Sequence, residues 1–83
     1  MAKHDDTLRA VFEMPTRADV RWADVESLFV RLGAAVSHGK GSAVRVVLNG
    51  VRAVFHRPHP RKEASKGCVE RVRRFLTNAG FEP

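Results

Sequence analysis

The chain has 83 residues and a formal net charge of +6, from fifteen Lys and Arg against nine Asp and Glu, the size of one small domain with a basic surface. Folding at this length hides roughly 60 to 65% of the surface that the unfolded chain exposes, which excludes a second domain and a large enclosed cofactor pocket and favours a large substrate on an open face. Hydrophobic residues at 43% and charged ones at 29% match a soluble globule, and no apolar run approaches the roughly 20 residues that span a bilayer, which excludes membrane insertion.

In chain order, Leu8, Val11 and Phe12 recur at helical spacing behind Asp5, Asp6 and Thr7, whose charge and capping oxygens suit a helix N-terminus. Pro15 stops this helix, and residues 15 to 21 read as a connection. Val25, Leu28, Phe29 and Leu32 then mark one apolar stripe ended by Gly33, which predicts a second helix over 22–32 with a left-handed cap. Trp22 at its start reads as a core residue rather than a platform for ligand stacking.

From Ala34 the period changes. Ala34 to Val36 predicts a short strand before the Gly39-Lys40-Gly41 turn, and Val44, Val46 and Leu48 then alternate with Ala43, Arg45 and Val47. Asn49-Gly50 is a strong hairpin signal, because both residues tolerate the positive φ of a type I′ turn. Val51 to His56 returns as the partner strand. A two-residue turn pairs Leu48 with Val51, Val46 with Ala53 and Val44 with Phe55 on the buried face, which leaves Arg45, Val47, Arg52 and Val54 outward.

His56 to Lys62 holds Pro58 and Pro60, which remove backbone donors and make this a stiff basic loop rather than a central strand. The last helix starts near Ser65 as N-cap and turns Val69, Val72, Phe75, Leu76 and Ala79 inward before Gly80 closes it, with Arg71 and Arg74 projecting elsewhere. Cys68 has no His or Asp near it in sequence and reads as a structural thiol. As the one cysteine it forms no internal disulfide, and the N-terminus has no secretory apolar segment, so a reducing cytoplasm is the expected compartment. The order α-α-β-β-β-α predicts an α+β fold, with helices on one face of a three-stranded antiparallel sheet and the other face open to a partner.

Charge is segregated along the chain. Residues 1 to 36 carry five basic side chains against six acidic ones, whereas residues 37 to 74 carry ten basic ones against Glu63 and Glu70. Such a segment attracts polyanions, because each neutralised phosphate releases condensed counterions. Lys40, Ser42, Arg45, Arg52, Arg57, Arg61, Lys62 and Lys66 are the candidate RNA-binding residues.

Gly39 to Ser42, the hairpin, Pro58-His59-Pro60 followed by basic residues, and a final helix ending in Asn78-Ala79-Gly80 together resemble the HicA-type mRNA interferase toxins. The first 20 residues resemble an N-terminal extension of longer members, and 21–83 the RNA-binding and cleaving core. The resemblance implies an α-β-β-β-α core like that of double-stranded RNA-binding domains, metal-independent endonucleolytic cleavage of mRNA, no cofactor, and neutralisation by a HicB-type antitoxin that covers the active face. Many members carry a catalytic histidine after the Gly-Ser pair, where this chain has Ala43. A methyl group moves no protons, so either this chain is an inactive, RNA-binding form or another residue does the work.

RNA cleavage without a metal needs a base for the 2′-hydroxyl, an acid for the leaving 5′-oxygen and cations for the phosphorane. Histidine suits both proton roles near neutral pH. His59 is the first candidate, with His38 and His56 behind it, all three placed near one end of the sheet. A two-metal mechanism fits less well, since the acids lie mostly in the N-terminal half, away from the basic zone. The Gly39–Ser42 turn reads either as a phosphate cradle or as a plain tight turn, and it is not a P-loop.

Overall fold

A computed structural model describes residues 3–83, in the order α1 (Lys3–Phe12), α2 (Trp22–Arg31), β1 (Ala35–His38), β2 (Ala43–Leu48), β3 (Val51–His56) and α3 (Lys66–Asn78). The three strands form one antiparallel sheet in the order β1-β2-β3. The α+β architecture expected from the sequence is therefore present, with its α-β-β-β-α core and the extra helix ahead of it.

The hairpin sets the register of the sheet. Asn49 and Gly50 adopt φ of 51° and 81°, the left-handed pair that lets a two-residue turn follow the strand twist. Leu48 pairs with Val51, Val46 with Ala53 and Val44 with Phe55, the pairing expected from the turn. Asn49 adds a long-range tie, its Nδ2 donating to the Ala79 carbonyl at 2.8 Å. The first strand runs to His38, two residues beyond the expected Val36, because Ser37 and His38 find partners in Arg45 and Val44.

Two helix boundaries follow from their caps. The α3 N-cap is Ser65, whose Oγ accepts the Cys68 amide at 3.1 Å. At its other end Gly80 takes φ 93°, and the Phe81 amide reaches back to the Leu76 carbonyl at 2.9 Å, a Schellman closure. The first helix begins at Lys3, so Asp5 and Asp6 lie inside its first turn rather than ahead of it. They still face the positive end of the helix dipole there.

The helices cover one face of the sheet. Val44, Val46, Leu48 and Phe55 point into a core completed by Val25, Leu28 and Phe29 of α2 and Val69, Val72, Phe75 and Leu76 of α3. Phe29, Phe55 and Phe75 touch pairwise with ring centres 5.5 to 5.8 Å apart, each pair contributing about 0.5–1.5 kcal/mol beyond burial. Trp22 is buried against Phe55 at 5.8 Å, as a core residue, and its Nε1 donates to Glu26 Oε1 at 2.9 Å. The N-terminal helix joins the same core through fully buried Val11. Arg73 of α3 holds it there, donating to the carbonyls of Val11 and Glu13 and to Thr16 Oγ1 at 3.0, 3.3 and 2.9 Å.

Candidate functional site

Strand alternation leaves Ala35, Ser37, Ala43, Arg45, Val47, Arg52, Val54 and His56 on the sheet face that no helix covers. Arg45 stands opposite Ser37 and Val54, and Arg52 stands opposite Val47. The face is thus a checkerboard of guanidinium groups and exposed valines around a shallow concavity of about 550 Å³. Among the described residues it carries no Trp or Phe ring, since Trp22, Phe29, Phe55 and Phe75 are buried in the core and Phe12 and Phe81 pack against it.

At one end of this face Ala43 pairs directly with His56. Ser42 Oγ approaches His56 Nδ1 at 3.4 Å, which orients the ring and leaves Nε2 for another partner. If the hydroxyl donates, Nε2 carries the proton; if Nδ1–H donates, Nε2 is basic. Two cations flank the pair. Arg45 Nη2 and the Ala43 methyl lie 3.4 and 3.5 Å from where a Cβ on Gly39 would sit, so the Arg45 side chain folds back toward position 43. From the other side Arg57 Nη2 donates to the Gly41 carbonyl at 3.2 Å, and the Arg57 amide to the Ser42 carbonyl at 2.9 Å.

The Gly39-Lys40-Gly41 turn closes on itself. Gly39 donates to the Ala43 carbonyl at 2.9 Å and Ala43 to the Lys40 carbonyl at 3.2 Å. The Gly39 amide of the Gly39–Ser42 turn and the Ala43 amide that follows it are thus engaged within the turn. Lys40 is exposed at its tip.

The remaining candidates lie elsewhere. His38 shares this end of the sheet but has the inward parity of Val44, its partner in β2. Its Nε2 lies 3.3 Å from Glu26 Oε1 on the helix side, so His38 and His56 occupy opposite faces. His59, Arg61 and Lys62 sit exposed on the loop from Arg57 to Ser65, and Lys66 opens α3. His59 makes no hydrogen bond or ion pair with another described residue. That loop is fixed through its backbone, the Lys62 carbonyl accepting from Trp22 N at 3.0 Å and Ala64 N donating to the Val20 carbonyl at 2.8 Å.

The basic segment does not front a single face. Arg73 turns toward α1. Arg71 donates from Nη2 to the Val54 carbonyl at 2.9 Å and lies 5.0 Å from the centre of the Phe55 ring, stabilising the edge of β3. Sequence spacing gave these two arginines no partner, because both partners lie far along the chain.

Among the described residues no helix is long and apolar enough to cross a membrane. Searches of curated proteins and of solved structures return no significant match. A sequence model of the HicA toxin of bacterial toxin-antitoxin systems matches residues 22–81, a span that runs from the first residue of α2 through the Gly80-Phe81 closure. It takes in the whole sheet, the Ala43–His56 pair and the basic loop, and the chain belongs to the HicA toxin family, the toxin half of a toxin–antitoxin pair.

Proposed function

We propose that this toxin acts in the cytoplasm as a metal-independent endoribonuclease on mRNA, that RNA lies on the open sheet face, and that a HicB-type antitoxin blocks that face. The observation that carries the reading is the pairing of Ala43 with His56 beside Arg45, Arg57 and Ser42. The resemblance implies a histidine at the position of Ala43 in many members, and His56 stands directly opposite that position in the neighbouring strand.

In this reading His56 Nε2 takes the proton of a 2′-hydroxyl, and O2′ attacks the adjacent phosphorus. The P–O5′ bond breaks to leave a 2′,3′-cyclic phosphate, and O5′ takes a proton from water. Arg45 and Arg57 stabilise the extra negative charge of the phosphorane, the kind of preorganised electrostatic contribution that dominates many such reactions. Ser42 positions His56 through Nδ1.

The test is cleavage of a 5′-labelled mRNA fragment by the purified chain in the presence of a chelator, with product ends identified by mass spectrometry. Cyclic phosphate ends that disappear in His56→Ala support the reading. Products that persist unchanged in His56→Ala remove His56 from it.

A second reading is favoured by Ala43 itself. Without the family histidine, the same face binds RNA and does not cut it. Salt-dependent RNA binding with no cleavage under any condition identifies that case.

A further inference from the structure

Arg52 borders two hollows. On the open face it lines the concavity with Arg45, Val47 and Val54. Around the edge of β3 it also lines a groove of about 210 Å³ between that strand and α3, with Arg71, Arg74, Phe55 and Asn78. The second strand of the hairpin is an edge strand, so the two hollows meet across it and a cationic track runs from the sheet face onto α3.

The groove has the marks of a place built for an anion. Three guanidinium groups line it, and no Asp or Glu does. Like charges gathered around one opening repel, and an anion between them converts that repulsion into attraction. Arg71 is held in place by the Val54 carbonyl and the Phe55 ring, which engages one of its five N–H donors and leaves the rest of the fork preorganised. Arg52 and Arg74 are exposed, and their side chains make no hydrogen bond or ion pair with another described residue. The one acid of α3, Glu70, stands one turn before Arg74, lines a separate hollow with Arg73 and Arg74, and accepts the Thr16 hydroxyl at 3.4 Å.

We propose that this groove is a phosphate-binding site for the RNA backbone, a second contact that continues the one on the open face. The proposal rests on the RNA reading above. All three cations are arginines, whose planar fork matches two phosphate oxygens at once. Arg52 links two separate cationic stations, an arrangement suited to a polyanion with regularly spaced charge. The rings that line the groove, Phe55 and Phe75, are 1% and 4% exposed, which offers bases no stacking platform. The contact is therefore to phosphate and independent of sequence.

The experiment measures anisotropy of labelled RNAs of several sequences against the full chain over a NaCl series, for the unaltered protein, Arg74→Ala and a control, Arg31→Ala on α2. Arg74→Ala is expected to weaken binding about tenfold for every sequence. The slope of log affinity against log salt should shrink by about 0.7 to 0.9, one phosphate contact. Arg31→Ala leaves both unchanged. Arg74→Gln, which keeps most of the stem, reproduces the loss and separates charge from packing. Full RNA affinity and slope in Arg74→Ala overturn the groove while leaving the open-face reading intact. An unaltered protein that binds no RNA overturns both. Loss of affinity for polyglutamate with RNA binding unchanged assigns the groove to an acidic protein and overturns the proposal.

Discussion

Ala43 and His56 face each other across the β2–β3 pair, on the side of the sheet that no helix covers. Directly opposed residues in an antiparallel pair hold their Cβ atoms about 4.5–5.5 Å apart. Ala43→His therefore sets two imidazoles side by side, one for each proton transfer. Because a positioned acid or base contributes roughly 10²–10⁴-fold, the variant is expected to cleave RNA at least about a hundredfold faster and to arrest growth when induced. Adding His56→Ala to it should remove most of that gain. Equal rates for Ala43→His and the unaltered chain would falsify the shared site.

How far this pair was legible in the sequence depends on which link is considered. Asn49-Gly50 fixes the turn, the turn fixes the register, and the register puts 43 opposite 56. Local chemistry was enough for that. The choice among histidines was not local: His59, flanked by prolines, looks the more distinctive residue, and only strand parity separates outward His56 from inward His38. The arginines of α3 were less legible still. Arg73 and Val11 are 62 positions apart, and no periodicity reports that a guanidinium will meet a carbonyl at that separation.

The Asn49 side chain ties the hairpin to the end of α3. Asn49→Ala removes the bond to the Ala79 carbonyl and places a Cβ-bearing residue poorly suited to φ 51° in the turn. A lost hydrogen bond of about 1 kcal/mol plus the conformational cost gives an expected loss of about 1–2 kcal/mol. Denaturant unfolding measures it. Asn49→Gly, which relieves the backbone and not the bond, should recover part of the difference.

Arg73 holds the segment that joins α1 to α2. Arg73→Ala deletes three donors at once and leaves the Val11 carbonyl without its guanidinium. Destabilisation of about 1–3 kcal/mol is expected, together with faster proteolysis between Glu13 and Val20. Unchanged protection there would show that buried Val11 anchors the segment without help.

Burial pushes the Cys68 thiol up, and the Arg71 guanidinium offsets part of that rise. The fold therefore favours the neutral thiol. Its contribution to stability is fully present below the unfolded-state pKa and is lost as pH rises through the folded one. Cys68→Ala should accordingly narrow the fall in thermal midpoint between neutral pH and about pH 10. A disulfide reagent at pH 8 should react more slowly with the native chain than with the chain in denaturant. Equal rates would place the thiol in free solvent.

Lys40 tests whether charge can be removed beside the proposed RNA face without touching the fold. It is exposed at the tip of the turn, and its carbonyl, not its side chain, accepts the Ala43 amide that closes the loop. Lys40→Glu keeps that backbone bond and exchanges a cation for an anion beside the Ala43–His56 end. Surface changes of this kind usually stay within about 0.5 kcal/mol in stability, whereas reversal of a charge facing phosphate weakens binding and flattens its salt dependence. The expected result is an unchanged melting temperature with several-fold weaker RNA binding, a difference that fades as salt rises. A large drop in melting temperature would mean that the side chain, and not the glycines around it, holds the turn.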